Sequence, residues 1–148
     1  RTKGEKRNLT DAKRYGIKVD PNFLEDMKLI RDKGYVTPED WGLFRAQMRK
    51  EQDILDRDWE TKARKTEYPP LSTYGYLKRY MHSIPLSEKA KRDWEDRRSD
   101  FRIVFKVDEE KKELYYLAIG KRIKGFPKDP DDIWSMIKGR KLPEEDSD

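Results

Sequence analysis

The residues best equipped for chemistry are cations crowded around one apolar hairpin. From Arg97 to Lys124 the chain carries nine Lys or Arg against five Asp or Glu. Arg97, Arg98 and Arg102 stand where a first strand begins, and Lys121 and Arg122 stand where a second one ends. Phe101, Ile103, Phe105 and Val107 alternate with Arg102, Val104 and Lys106, the pattern of a half-buried strand. Asp108 to Lys112 is a polar turn, and Leu114 to Ile119 is a second apolar strand. So short a connection makes the two strands an antiparallel hairpin, in which the start of one lies beside the end of the other. Arg102 and Arg122 should therefore meet at one end of the sheet. A guanidinium stays protonated and can hold two oxygens of one phosphate, so the pair is a candidate anion site. Arg97, Arg98, Lys106, Lys124 and Lys128 are further candidates for phosphate contact.

Other elements must hold that hairpin. Gly16 to Val19 could be a short strand. Asp20 is placed to cap a helix that starts at Pro21, and Phe23, Met27 and Ile30, with Leu24 beside them, mark its buried face. Gly34 should close it. Thr37-Pro38-Glu39-Asp40 starts a second helix, whose stripe of Trp41, Phe44, Met48 and Leu55 reads as core. Tyr68-Pro69-Pro70 ends that run. Tyr74, Tyr76 and Tyr80 then interleave with Lys78 and Arg79, a pattern that could stack on nucleobases. The plainer reading, that the segment packs against the sheet, is preferred. The lone His82 reads as structural. Ser87 is a plausible cap for a charged helix, and Trp94 to Arg98 either continues it or forms a strand before the hairpin. Asp129-Pro130-Asp131-Asp132 opens a short helix carrying Ile133, Trp134, Met136 and Ile137. Leu142 to Asp148 reads as a solvated acidic tail, or less readily as a cover for the basic patch.

Composition bounds what this can be. With 148 residues, 44% of them charged and 34% hydrophobic, the chain makes one domain with a small core and a wet surface. A net charge of +5 suits an anionic partner only modestly. The absence of cysteine excludes disulfides, thiolate metal sites and a thiol nucleophile, and a single histidine excludes a multi-histidine metal centre. No stretch has the apolar length of a membrane span. No cofactor motif or metal site is expected. The basic residues 1–15 read as a flexible arm able to dock on a phosphate backbone.

The ordered set Trp94-Glu95-Asp96-Arg97, Asp100-Phe101-Arg102-Ile103-Val104-Phe105-Lys106-Val107-Asp108 and Ile119-Gly120-Lys121-Arg122 resembles the RelE/ParE superfamily of bacterial toxins. The match is strongest over 94–122 and weaker over 16–139. It implies an α+β fold: an N-terminal helical hairpin packed on a small curved antiparallel sheet, with a short C-terminal helix. The domain would run over 16–140, with 65–93 an insert or extended connection and 141–148 an acidic tail. In the nuclease branch of that family the toxin cuts messenger RNA on the ribosome, by attack of a ribose 2′-OH on the adjacent phosphate and without a metal. On that likeness Arg102 and Arg122 take the phosphate-stabilising positions, Lys121 is a nearby catalytic cation, and Arg97 matches a basic position on the preceding strand. The partners implied are a cognate antitoxin, the ribosome and messenger RNA, in the cytoplasm (or an organelle matrix, if a targeting segment has been removed). Phe126 stands where nuclease members often carry a tyrosine or histidine. Two other functions therefore stay open: a non-catalytic subunit of a larger ribonucleoprotein or other assembly, and the gyrase-poisoning branch. Arg97, Arg102 and Arg122 could also merely pair with Asp96, Asp100 and Glu113.

Overall fold

The computed structural model describes residues 14–122 and 133–146. Lys124, Phe126 and Lys128 lie outside them, as does nearly all of the basic arm. The described chain runs β1 (Gly16–Val19), α1 (Pro21–Asp32), a 3-10 turn (Pro38–Asp40), α2 (Trp41–Lys62), β2 (Arg64–Lys65), β3 (Leu77–Met81), α3 (Leu86–Lys91), β4 (Phe101–Asp108), β5 (Glu113–Lys121), α4 (Ile133–Lys138) and a final 3-10 turn (Pro143–Asp146). The strands form one sheet in the order β1-β5-β4-β3-β2. The fold is α+β, as expected. Every strand pairing is antiparallel except that of β1, which lies parallel to β5.

The helix boundaries follow from local chemistry. The Asp20 carboxylate accepts the Asn22 amide at 2.8 Å, and Pro21 occupies a first-turn position that needs no donor. At the other end Gly34, with φ +70°, closes a Schellman turn. Its amide donates to the Arg31 carbonyl at 3.0 Å, and the Tyr35 amide donates to the Ile30 carbonyl at 3.0 Å. Thr37 caps the next turn through the Asp40 amide. Along α1, Phe23 and Ile30 are buried, whereas Leu24 points outward and is exposed.

The sheet has a core on each face. On one, α1 and α2 bury Phe23, Ile30, Phe44, Met48 and Leu55 against Met81, Phe101, Ile103, Phe105, Leu114, Tyr116 and Ile119. On the other, α4 and the residues after it bury Ile133, Ile137 and Leu142 against Tyr76, Val104, Leu117 and Ala118. Removing such apolar side chains from water stabilises by roughly 25 cal/mol per Å².

Four expectations are corrected. Trp94 to Arg98 is neither helix nor strand; it belongs to an irregular connection. The place beside β4 is filled by β3, from within 65–93, so no sheet position remains for Trp94 to Arg97. Helix α3 starts at Leu86 behind Pro85, placing Ser87 inside it rather than at its cap. Residues 142–145 pack rather than trail: Leu142 is buried, and Glu144 accepts hydrogen bonds from Lys106 (2.8 Å) and the Tyr76 hydroxyl (3.0 Å). Arg140 binds Asp26, which is buried in α1 and also accepts the Ile119 amide at 3.1 Å. Burial pushes the Asp26 carboxyl above its usual range even with Arg140 upon it. At the other end of the described chain Tyr15 is buried, its amide held at 2.8 Å by Asp56 of α2, so the expected arm cannot extend so far as Tyr15.

Candidate nucleic-acid interface

Register puts the cations on definite faces. Tyr80 of β3 pairs with Arg102 of β4, which pairs with Gly120 of β5. Residues paired across antiparallel strands share a face, so this row lies on the side covered by α4. The row before it, Met81–Phe101–Lys121, faces α1 and α2.

A β-bulge decides where Arg122 goes. Partners run from Phe101↔Lys121 to Val104↔Ala118, and then Phe105 pairs with Tyr116, leaving Leu117 as an extra residue on β5. Strict alternation from Leu114 and Tyr116 would send Ala118, Gly120 and Arg122 toward the helices. The extra residue inverts that parity, so that Ala118 and Gly120 join Val104 and Arg102 on the α4 side. Lys121 is turned away, its ammonium 5.5 Å from the Tyr35 ring and 6.0 Å from that of Phe101.

The result is a cluster of cations on aromatic faces. The Arg102 guanidinium carbon lies 5.4 Å from the centre of the Tyr80 ring, and that of Arg122 lies 5.6 Å from the same ring. Trp134 of α4 stands 5.4 Å from Arg102. The Lys78 ammonium is 5.9 Å from both the Tyr80 and Trp134 rings. Such contacts hold a guanidinium through its charge and its flat face without using its N–H donors. Trp134 can approach because β5 carries glycine beneath α4: a Cβ at Gly120 would sit 2.8 Å from the Ile133 Cβ.

Arg122 is fixed through its backbone, its amide donating to the Asp100 carbonyl at 2.8 Å. The Asp100 side chain is committed elsewhere. It accepts from the Ser83 amide (2.8 Å) and hydroxyl (2.5 Å) and from the buried Lys89 ammonium (3.0 Å). Lys89 also donates to the Arg98 carbonyl at 2.8 Å and meets His82 Nδ1 at 2.9 Å. Burial first, and then the Lys89 charge, hold the His82 imidazole below its usual pKa, which suits an accepting nitrogen. His82 is thus part of a structural network.

Of the other candidates, Lys106 faces the α4 side but is engaged by Glu144, with its ammonium 5.6 Å from the Tyr76 ring. Arg97 and Arg98 are exposed in the irregular connection and pair locally, Arg97 with Asp93 and Arg98 with Asp96. The structure thus brings Arg102 and Arg122 together and separates them from Lys121. On β3, the strand that pairs with β4, Lys78 lies on the same face, with Tyr80 two residues on. Tyr80 is the residue that motif reasoning passed over, although its interleaving with Lys78 and Arg79 was the available signal. Beside it opens a cleft of about 400 Å³ whose lining includes Lys62, Arg64, Lys78, Tyr80 and His82. Among the described residues no three His, Asp or Glu side chains are grouped to hold a metal ion, and no helix is long and apolar enough to cross a membrane.

No family model matches the chain, and no curated protein matches it. Among solved structures it is similar to the toxin–antitoxin complex RelBE2 from Mycobacterium tuberculosis, with 11% identity, a TM-score of 0.43, and coverage of 75% of this chain and 94% of that one. It is also similar to the conserved hypothetical protein HP0892 from Helicobacter pylori, with 13% identity, a TM-score of 0.36, and coverage of 72% and 92%.

Proposed function

We propose that the α4-side face binds the phosphodiester backbone of RNA, and that the chain is a RelE-like toxin cutting messenger RNA on the ribosome. The observation that carries this reading is the convergence of Arg102 and Arg122 on one tyrosine ring. Two guanidiniums held at a common aromatic face present a fixed positive field, suited to a phosphate gaining negative charge. In the reaction the ribose 2′-oxygen loses its proton and bonds to phosphorus while the phosphorus–O5′ bond breaks. The 5′-oxygen takes up a proton, leaving a 2′,3′-cyclic phosphate and a 5′-hydroxyl. Arg102 and Arg122 bind the non-bridging oxygens. The Tyr80 hydroxyl is the proton-transfer group, in the role for which Phe126 lacks the chemistry. A toxin of this kind works in the cytoplasm and is neutralised by a separate antitoxin protein.

A second reading is a binding subunit of a larger assembly that does not cut. It is favoured by one observation: Glu144 already neutralises Lys106 on the same face. Primer extension on a message translated in vitro with the purified protein separates the two. Ribosome-dependent cuts should fall about 100-fold or more in Arg102→Ala/Arg122→Ala. In Tyr80→Phe, which keeps the ring under both arginines, they should fall about 10- to 100-fold. An intact message at high wild-type concentration would sink the nuclease, and the face would then be a docking surface.

A further inference from the structure

A second groove adjoins the arginine cluster and shares two of its side chains. It has a volume of about 430 Å³ and lies between the segment around Tyr68–Leu71 and α4 with the residues that follow it. Its buried lining is Leu71, Ile137 and Leu142. Its open lining includes Tyr68, which is 76% exposed, and the adjacent Pro69 and Pro70. Trp134 and Lys78 line it too, and these are the residues that stand 5.4 Å from Arg102 and 5.9 Å from the Tyr80 ring. The groove therefore begins where the phosphate cluster ends.

We propose that this groove is a nucleobase subsite, taking one base of the strand whose phosphate lies on Arg102 and Arg122. The inference rests on the RNA reading above. Three features choose the occupant. The lining is apolar with flat groups, Tyr68, Trp134 and the proline rings, which suits a planar π face rather than a branched aliphatic chain. Lys78, which pairs with Glu67 at 3.0 Å, and the exposed Lys138 line it as well, and Lys138 suits the backbone of a polyanion threading past. Its continuity with the arginines through Trp134 places base and phosphate a nucleotide's reach apart. Glu67, which holds Lys78, and Glu145, which accepts the Leu142 amide at 2.8 Å, are also in the lining. The segment forming one wall is the part of 65–93 before β3, so this stretch supplies recognition as well as a strand.

The test is fluorescence anisotropy with short 5′-labelled 2′-O-methyl RNA, which cannot be cut, compared with the same strand made abasic at each position in turn. An abasic nucleotide at one position should weaken wild-type binding about tenfold. Tyr68→Ala should bind the intact strand about tenfold more weakly, show no abasic penalty, and keep its salt dependence, because no phosphate contact is touched. Tyr68 is too exposed for its truncation to unfold the chain, and a melting curve checks this. If every abasic strand binds as tightly as the intact one, or if Tyr68→Ala retains the penalty, the base subsite is wrong while the phosphate reading stands. If the wild type binds no strand, both fall.

Discussion

Arg79 on one face of the sheet and the pair Arg102 and Arg122 on the other are held in opposite ways. On the α1/α2 face the cation of β3 is Arg79, and a carboxylate answers it. Glu51 of α2 accepts from Arg79 Nε at 2.6 Å and Nη2 at 3.3 Å, while the Lys62 carbonyl takes Nη1 at 3.1 Å. On the α4 face, Arg102 and Arg122 are set against the rings of Tyr80 and Trp134, while Lys78 beside them pairs with Glu67 at 3.0 Å. A bidentate carboxylate consumes the donors of a guanidinium; an aromatic face supports its charge and leaves the fork to other partners. The first arrangement is how a fold buries a charge it needs for structure. The second is how a fold presents charge to a ligand. The carboxylate that could have spoiled the second face, Asp100, is drawn off by Ser83 and Lys89.

The largest effect that would sharpen this contrast comes from breaking the structural pair. Glu51→Ala leaves Arg79, only 23% exposed, without its carboxylate, and should cost about 2–3 kcal/mol in chemical denaturation. RNA binding should change less than about twofold, because Arg79 and Tyr80 point to opposite faces. A collapse of RNA binding with stability intact would show that the two faces are not separate, and the comparison would fail.

The smaller step is to press α4 off the sheet. In Gly120→Ala the added methyl meets the Ile133 Cβ at 2.8 Å and its Cα at 3.3 Å, so the helix backbone must move. That overpacking should cost about 1–2 kcal/mol. It should also loosen Trp134 from Arg102, lowering RNA affinity where Glu51→Ala does not. Unchanged affinity, measured on the same RNA, would mean that Trp134 does not help to hold Arg102.

These tests turn on features of very unequal visibility in the sequence. Caps and the hairpin were plain because each is a local signal: Asp20 before Pro21, Gly34 after a helix, alternating Phe101 to Val107. Strand β3 was hidden because Leu77-Lys78-Arg79-Tyr80-Met81 puts a charge on its core-facing side. Glu51 and the Lys62 carbonyl, both distant in sequence, make Arg79 acceptable there. The extra residue at Leu117 was hidden for a related reason. The run Leu114 to Ile119 is apolar throughout, so no alternation marks the change of parity that parts Lys121 from Arg122. That Arg102 and Arg122 lie at one end of the sheet was legible from hairpin connectivity; that they share a face depends on the bulge at Leu117. Tyr80 beneath both was not, since it depends on the register of a strand that the pattern did not declare. The packing of the C-terminal residues depended likewise on Tyr76, buried from that same stretch.

The smallest expected effect concerns Glu144, which like Glu67 engages a cation on the aromatic face. Glu144→Gln keeps an acceptor for the Tyr76 hydroxyl but removes the charge that faces Lys106 at 2.8 Å. The pair is partly exposed, 34% and 21%, so its loss should cost less than about 1 kcal/mol. Lys106 then becomes available to a phosphate. RNA affinity should rise about two- to threefold at low salt, and the slope of log affinity against log salt should steepen by about one counterion. That rise would make the C-terminal turn a partial brake on the face, with Lys106 the end of the cationic row that starts at Arg122. An unchanged slope would stop the RNA path at Arg102, and would class Lys106–Glu144 with Arg79–Glu51 as a pair the fold keeps for itself.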